Sequence, residues 1–166
     1  MSRYASVIKD DVVNGEGVCC SFFVQGCPHH CPGCFNEETW DFNGGKEYNS
    51  ELKWEIIKLI SDNGITRNFS ILGGEPMALQ NLEMTFEVVD AVRHAYPNIK
   101  IFLWTGYTLD ELIDRNGDIT NSILDCVNVL IDGPFIEEEK NLNLKLRGSN
   151  NQHIRRKINN KWETQE

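Results

Sequence analysis

Three cysteines within eight residues form the segment of this sequence with the clearest chemical meaning. Cys27, Cys31 and Cys34 are spaced as C-x3-C-x2-C, in the run Cys27-Pro28-His29-His30-Cys31-Pro32-Gly33-Cys34. Proline and glycine between the thiols favour a compact turn over a helix, so the three thiolates can approach one inorganic centre. Thiolates are ligands for zinc and for iron–sulfur clusters alike. We therefore predict a metal site on this loop.

The number of local thiols distinguishes two kinds of metal site. Structural zinc sites have four protein ligands and ordinary iron–sulfur clusters have four cysteines, whereas a fourth cysteine is missing from this loop. Three ligands on a [4Fe–4S] cluster leave one iron open to a substrate or cofactor, which is typical of a catalytic site. The alternative is a structural zinc site that is completed by His29, His30 or Cys126.

The other three cysteines are expected to pack in the interior and not to bind metal. Cys19 and Cys20 fall in an apolar segment that is predicted to be a strand, and Cys126 precedes another such segment. Free cysteine behaves as a small, usually buried apolar residue, so we expect these three to pack in the interior. Disulfide frameworks are typical of secreted chains, whereas tight cysteine spacing in a reducing compartment indicates metal binding.

The composition is that of an ordinary globular protein. The chain has 166 residues, of which 40% are hydrophobic and 25% charged, and this fits a single domain over residues 1–166. A net charge of −9 disfavours a protein that binds nucleic acid through phosphate contacts. No segment has the length of a membrane span and the first residues lack the apolar core of a signal peptide, so we expect a cytoplasmic protein.

The apolar pattern predicts strands that alternate with helices. Apolar positions on one face indicate helices over residues 50–62 and 79–95, and the capping box Thr108-x-x-Glu111 opens a shorter helix that Asn116-Gly117 ends. A weaker helix is predicted near 119–124. Runs rich in β-branched and aromatic residues predict strands over residues 18–24, 68–72, 100–104 and 127–131. The polar sequence beyond residue 137 supports no clear prediction.

This alternation is typical of βαβ units in a mainly parallel sheet. The chain is too short for a complete eight-stranded barrel, so the predicted fold is α/β, an open partial (β/α) barrel. Ligands bind at the carboxyl ends of the strands in such folds. Four motifs follow predicted strands and are expected to surround one site: the cysteine loop, Gly73-Gly74-Glu75-Pro76, Trp104-Thr105-Gly106-Tyr107 and Asp132-Gly133.

The cysteine loop and the later segment Gly73-Gly74-Glu75-Pro76 together resemble the radical S-adenosylmethionine superfamily. In that superfamily the GGEP segment binds the methionine amino group of the cofactor, because glycines let the main chain approach and a carboxylate accepts hydrogen bonds from a cation. The resemblance implies a [4Fe–4S] cluster on Cys27, Cys31 and Cys34 whose fourth iron is chelated by S-adenosylmethionine. It also implies a partial barrel of the radical S-adenosylmethionine type.

Further segments of the sequence resemble those of the enzymes that activate glycyl-radical enzymes. Within that group, they are most similar to the activases of anaerobic, class III ribonucleotide reductases. Two departures are Gly33, where many superfamily members have an aromatic residue, and Cys19, where relatives often have arginine. The resemblance extends from about Val7 to His153. The segments that carry it are Asn14-Gly15-Glu16-Gly17, Phe23-Val24-Gln25-Gly26-Cys27, Gly33-Cys34-Phe35-Asn36, Thr39-Trp40-Asp41, Trp104-Thr105-Gly106-Tyr107, Asp132-Gly133-Pro134-Phe135 and Arg147-Gly148-Ser149-x-Asn151-Gln152.

The resemblance implies a reaction and its partners. S-adenosylmethionine would be cleaved reductively at the cluster, and a glycyl radical would form on the large catalytic subunit of an anaerobic ribonucleotide reductase. A reduced flavodoxin-type protein would supply the electron. The alternatives are the activation of another glycyl-radical enzyme such as pyruvate formate-lyase, and a non-catalytic zinc or iron–sulfur module.

Because His29 and His30 are neighbours in sequence, both cannot easily face the cluster, and we expect them on the surface of the loop. The resemblance also implies roles for single residues. The methionine end of the cofactor is assigned to Gly73, Gly74, Glu75 and Pro76, and the adenine or sulfonium side to Gly33 and Phe35, beside Cys34. Polar groups of the cofactor are assigned to Asn36, Thr105 and Asp132, for which the alternative is ordinary capping of the loops.

Overall fold

The computed structural model describes residues 2–165. In this range the chain forms an eight-stranded sheet and four α-helices, and none of these helices is long and apolar enough to cross a membrane. The strands are β1 (Arg3–Asp11), β2 (Cys19–Val24), β3 (Lys46–Glu47), β4 (Asn68–Gly73), β5 (Ile101–Trp104), β6 (Val129–Asp132), β7 (His153–Ile158) and β8 (Lys161–Gln165). The helices are α1 (Ser50–Ile60), α2 (Leu82–Ala95), α3 (Leu109–Arg115) and α4 (Asp118–Cys126).

The sheet is mixed, with the strand order β3-β1-β2-β4-β5-β6-β7-β8. Its four middle strands, β2, β4, β5 and β6, run parallel to one another, and the two strands on each side pair antiparallel. Four of the seven pairings within residues 2–165 are therefore antiparallel. The predicted open partial (β/α) barrel with a mainly parallel sheet is wrong.

The prediction failed at the strands that flank the parallel part, because their side chains are largely polar. β1 carries Arg3, Lys9 and Asp10, and β7 and β8 contain few apolar residues. β7 and β8 form a hairpin whose turn residues Asn159 and Asn160 have φ values of 52° and 63°. Tight hairpins require such left-handed residues, and asparagine tolerates them, so the Asn-Asn pair was the available signal.

The helices agree with the sequence pattern. α1, α2 and α3 occupy the predicted segments, and the weak signal near 119–124 corresponds to α4. The Oδ1 of Asn49 accepts the Glu51 N–H at 3.0 Å and caps α1. The capping box of Thr108 and Glu111 is present, and the residue after α3, Asn116, caps its C-terminus in a left-handed conformation with φ of 46°. Local capping chemistry therefore fixes these boundaries.

The two faces of the sheet are covered differently. The larger core cluster within residues 2–165 combines strand residues such as Cys20, Phe22 and Ile71 with residues of α1, α2, α3 and α4. A smaller cluster contains Cys19, Phe102, Val129, Ile131 and Ile154, packed with Trp104 and Leu146. The helices thus cover one face. Cys19 and Cys20 are fully buried as predicted, and Cys126 is half-buried against the larger cluster.

Candidate active site

The cysteine loop follows β2 at the carboxyl end of the parallel strands. It is closed by main-chain hydrogen bonds from Gly26 N–H to the Thr39 carbonyl, 2.7 Å, and from Cys27 N–H to the Trp40 carbonyl, 3.1 Å. Gln25 is buried, and its Nε2 donates to the carbonyls of Glu38 and Asp41 at 3.1 and 2.8 Å. These bonds hold the two ends of the loop together directly after β2.

The three thiols of this loop line one cavity of about 130 Å³, and all three are free and half-buried. Burial raises the pKa of Cys27 to about 11, against the opposing effect of the His29 N–H that faces its sulfur. Burial also raises the pKa of Cys31, against the Phe135 N–H. The Asn36 N–H lies 3.4 Å from the Cys34 sulfur. Each sulfur therefore has a main-chain donor suited to a thiolate bound to metal.

Most of the predicted site residues lie around this cavity. It is lined by main chain and side chains from three parallel strand ends together with the cysteine loop. The predicted residues among its lining are Cys27, Cys31, Cys34, Asn36, Gly73, Gly74, Glu75 and Thr105.

The other predicted residues lie outside the cavity lining. Gly33, with φ of 75°, forms the turn that brings the Cys34 N–H to the Cys31 carbonyl at 3.1 Å. Phe35 is exposed, with its ring centroid 5.1 Å from that of Phe135. The Pro76 carbonyl accepts the Thr85 hydroxyl at 2.8 Å. The cofactor-binding roles of these residues stay predictions.

The side chain of Asp132 is buried and hydrogen-bonded within the protein. Its carboxylate is fully buried, and Oδ2 accepts the Leu109 N–H at 2.7 Å. Oδ1 lies 3.1 Å from Nε of Arg155. Asp132 thus joins β6 to the start of α3 and to β7, an arrangement close to the capping alternative that the sequence left open.

The loop after β4 approaches the cysteine loop through main-chain contacts. The Glu75 N–H donates to the Gly26 carbonyl at 2.8 Å, directly before Cys27. A Cβ on Gly74 would lie 2.5 Å from that carbonyl oxygen, so only glycine fits there. Asn81 was missed by the sequence analysis. Its buried Nδ2 donates to the carbonyls of Gln25, Gly26 and Glu75 at 3.2, 3.3 and 3.0 Å, and no pattern in the sequence marks it.

The carboxylate of Glu75 is buried and surrounded by donors. Oε1 accepts from His29 Nε2 and from the Gly106 N–H, both at 2.7 Å. Oε2 accepts from the Thr105 hydroxyl at 2.7 Å and from the Met77 N–H at 2.9 Å. The expectation that His29 lies on the loop surface is therefore wrong, since its side chain is only 19% exposed.

His30 differs from its neighbour. It is exposed, as expected, and its ring stacks on Trp40 with centroids 4.6 Å apart and planes 7° apart. It adopts a left-handed backbone, with φ of 48°. The two histidines of the loop thus point to different partners, His29 to the buried carboxylate and His30 to the indole.

The segment after β6 closes another side of the cavity. Gln152, which lines the cavity, accepts the Gly148 N–H at 2.8 Å and donates to the Gly133 carbonyl at 3.0 Å. Trp104 Nε1 donates to the Leu146 carbonyl at 2.7 Å. The segment from 133 to 152, whose structure the sequence did not predict, is therefore fastened to the ends of β5 and β6.

The donor set fits an iron–sulfur cluster. Within residues 2–165 no three His, Cys, Asp or Glu side chains converge as ligands of one metal ion, but a [4Fe–4S] cluster binds each thiolate through a different iron. Trp40 lines the cavity, and its indole Nε1 is buried without a hydrogen-bond acceptor among the described residues. Cluster sulfur atoms can accept such a bond. Cys126 ends α4, before the amino end of β6, whereas the loop lies at the carboxyl end of the parallel strands, so Cys126 does not fit the fourth ligand of a zinc site there.

Comparisons with known proteins agree with this chemistry. The family model described as "4Fe-4S single cluster domain" matches residues 13–155. An anaerobic ribonucleoside-triphosphate reductase-activating protein of Vibrio cholerae is 43% identical over 155 residues, which cover 93% of this chain and 97% of the relative. Proteins of the same name from Escherichia coli K12 and Enterobacteria phage T4 are 40% and 33% identical, over 92% and 96% of this chain and 97% of each relative.

Proposed function

The chain belongs to the family of anaerobic ribonucleoside-triphosphate reductase-activating proteins, and on that premise we propose what its site does. It activates an anaerobic ribonucleoside-triphosphate reductase by generating a glycyl radical on it, through reductive cleavage of S-adenosylmethionine at a [4Fe–4S] cluster. The observation that carries this proposal is the cavity in which the thiols of Cys27, Cys31 and Cys34 face the loops after β4 and β5.

Cys27, Cys31 and Cys34 hold the cluster in this proposal. When bound, the cluster supplies the electron that cleaves the S-adenosylmethionine sulfonium. The loop keeps its thiols half-buried and gives each sulfur a main-chain N–H donor. Cluster assembly requires thiolates, so binding of the cluster releases the protons of the three thiols.

The remaining walls of the cavity bind the cofactor. The main chain of Gly73 and Gly74 receives the methionine end, a role supported by the place of both glycines in the lining of the cavity. Asn36 and Thr105 offer polar side chains along the lining. The same binding set includes Gly33, Phe35, Glu75, Pro76 and Asp132, as the family resemblance implies.

The partner is the catalytic subunit of the reductase, whose glycine must reach the cavity. Phe35, 54% exposed beside the last cysteine, is available to contact such a segment. A reduced flavodoxin-type protein supplies the electron. The activity resides in a single domain over residues 1–166, and the cytoplasmic location expected from the sequence stays a prediction.

The test is the appearance of a glycyl radical on the partner. The anaerobically reconstituted protein is mixed with S-adenosylmethionine, a chemical reductant and an anaerobic ribonucleotide reductase, and the radical is recorded by electron paramagnetic resonance. We expect a signal that disappears when the reductase glycine is replaced by alanine. Activation of a pyruvate formate-lyase but not of the reductase would contradict the choice of partner. A protein with bound cluster that cleaves no S-adenosylmethionine would contradict the activity itself.

A further inference from the structure

A buried hydrogen-bond donor of Trp40 lies in the wall of the cavity. Its indole Nε1 has no acceptor among residues 2–165, and its side chain lines the same cavity as the thiols of Cys27, Cys31 and Cys34. The Cys27 N–H donates to the Trp40 carbonyl at 3.1 Å, so the two residues lie side by side. Because a buried N–H is costly to leave unpaired, this donor suits an acceptor that is bound in the cavity.

One face of the Trp40 indole is covered by the ring of His30. The two rings are stacked, with centroids 4.6 Å apart and planes 7° apart. Stacked aromatic pairs are favourable beyond the area that they bury, so the pair resists rotation of the indole. His30 is itself exposed and lies between the indole and the solvent. The stack therefore fixes the direction in which Nε1–H points.

The backbone of His30 separates its ring from that of His29. His29 Nε2 lies 2.7 Å from the Glu75 carboxylate, whereas the ring of His30 contacts Trp40. His30 is left-handed, with φ of 48°, a conformation that histidine and asparagine adopt more readily than most residues with a side chain. The ring and the backbone of His30 can thus be changed separately. Asparagine tolerates this backbone without a ring, and phenylalanine keeps an aromatic ring.

We propose that His30 is a positioning residue that acts through Trp40. Its ring holds the indole so that Nε1–H donates to a cluster on the cysteine loop, and the pair thereby sets the reduction potential of that cluster. Hydrogen bonds to cluster sulfur stabilise the more negative reduced state and raise the potential. This inference rests on the proposed function for the identity of the cluster, but it does not depend on the reaction with S-adenosylmethionine.

The experiment compares His30→Asn with the matched control His30→Phe. Each reconstituted variant undergoes redox titration without S-adenosylmethionine, followed by electron paramagnetic resonance. The midpoint potential should fall in His30→Asn, in the same direction as in Trp40→Phe but by less, because the indole remains and is no longer held. It should keep the wild-type value in His30→Phe. Both variants should bind as much iron and sulfide as the wild type, since neither removes a thiol.

The pattern of shifts separates this role of His30 from other effects of the substitution. Water that replaced the ring would stabilise the more negative reduced state, so the midpoint potential would rise in His30→Asn. Loss of an imidazole charge would shift both variants equally, and a change of the backbone would shift His30→Phe alone. Any of these results, or an unshifted potential in both variants, would overturn the proposal.

Coupling between the two rings provides the second readout. In the Trp40→Phe background, His30→Asn should cause no further fall in the midpoint potential, because the donor that His30 positions is already absent. A fall as large as in the presence of Trp40 would mean that His30 acts on the cluster without the indole, and would contradict the proposal.

A measurement on the apoprotein separates this proposal from the proposed function. The chain has four tryptophans, and the signal that is missing in Trp40→Phe identifies the indole proton of Trp40 in nuclear magnetic resonance spectra. Exchange of this proton with solvent should be faster in His30→Asn and unchanged in His30→Phe. That result, in a protein whose cluster never cleaves S-adenosylmethionine, would refute the proposed function and leave the role of His30 intact. Unchanged exchange in both variants would refute the role of His30.

Discussion

The two ends of the parallel strands β2, β4, β5 and β6 both carry dense polar chemistry, but they use it differently. At the amino end, the carboxylate of Glu16 binds Arg156 through both oxygens at 3.0 and 2.9 Å and also lies 3.4 Å from Lys100. The Glu16 carbonyl accepts Asn68 Nδ2 at 3.1 Å. The Asn14 carbonyl accepts the Ser70 hydroxyl at 2.5 Å. These groups satisfy one another.

At the carboxyl end, some groups stay open to a ligand. The thiols of Cys27, Cys31 and Cys34 form no disulfide, and the Trp40 indole N–H has no acceptor among the described residues. Glu75 differs from these groups, since its carboxylate has hydrogen-bond partners in His29, Met77, Thr105 and Gly106. We conclude that the amino end stabilises the sheet, whereas the carboxyl end keeps groups available for a cluster and a cofactor.

Removing a thiol at the carboxyl end should have the largest effect. Cys31→Ala should abolish cofactor cleavage and leave a cluster with too few ligands, because the loop has no fourth cysteine. Iron and sulfide per chain and the yield of 5′-deoxyadenosine measure this. Cys126→Ala, a half-buried cysteine at the amino end, is the control and should retain both. Equal loss of cluster and of 5′-deoxyadenosine in the two variants would contradict the different roles of the two ends.

A substitution that adds a side chain at a tightly packed glycine of the amino end should lower the stability of the protein and leave cofactor cleavage unchanged. Gly15 has φ of 137°, and a Cβ there would lie 2.5 Å from Cys19 Sγ and 2.9 Å from Ser70 Oγ. Gly15→Ala should lower the free energy of unfolding by about 2 kcal/mol, as is typical of overpacking. Gly17→Ala is the control, since it is also left-handed but has open space around it. Denaturant unfolding distinguishes them, and an equal cost would mean that backbone strain alone matters.

The indole N–H of Trp40, which has no acceptor among the described residues, should affect the reduction potential of the cluster. Trp40→Phe removes an N–H that we expect to donate to a cluster sulfur, and such bonds favour the more negative reduced state. The midpoint potential should fall by roughly 40 mV, the one-electron equivalent of about 1 kcal/mol. Redox titration followed by electron paramagnetic resonance measures it. The control is Trp54→Phe, at an exposed tryptophan of α1, which should not shift the midpoint potential. If Trp40→Phe also left the midpoint potential unchanged, the proposed hydrogen bond from Trp40 to the cluster would be wrong.

The ion pair of Glu16 and Arg156 at the amino end should make the smallest contribution to stability. The hydrogen bond from Arg156 is the main cause that lowers the pKa of Glu16 below 4.5. Its stabilisation should be fully present above pH 4.5 and should be lost as the pH falls through the lowered pKa. Both side chains are partly exposed, so Glu16→Gln should cost less than about 1 kcal/mol at neutral pH. Thermal unfolding at neutral and acidic pH should show the difference from wild type shrinking as Glu16 is protonated.

The sequence placed the motifs more successfully than the sheet. The motifs after β2, β4 and β5 lie around one cavity, because apolar strands and capping residues are local signals, and the roles of their residues stay predictions. The flanking antiparallel strands were missed, because a polar hairpin such as β7–β8 acquires its order from pairing with β6 and not from its own apolar pattern. The roles of His29 and Asn81 depend on contacts with residues distant in sequence, so no local pattern could reveal them.

Binding of S-adenosylmethionine to an open iron at the carboxyl end tests the central claim most directly. The protein is reconstituted anaerobically with iron and sulfide and reduced with dithionite. Its electron paramagnetic resonance spectrum is recorded before and after addition of S-adenosylmethionine, and 5′-deoxyadenosine is then quantified. We predict a changed spectrum and formation of product in the wild type. A reduced cluster whose spectrum is unaffected by S-adenosylmethionine, with no product, would contradict the account.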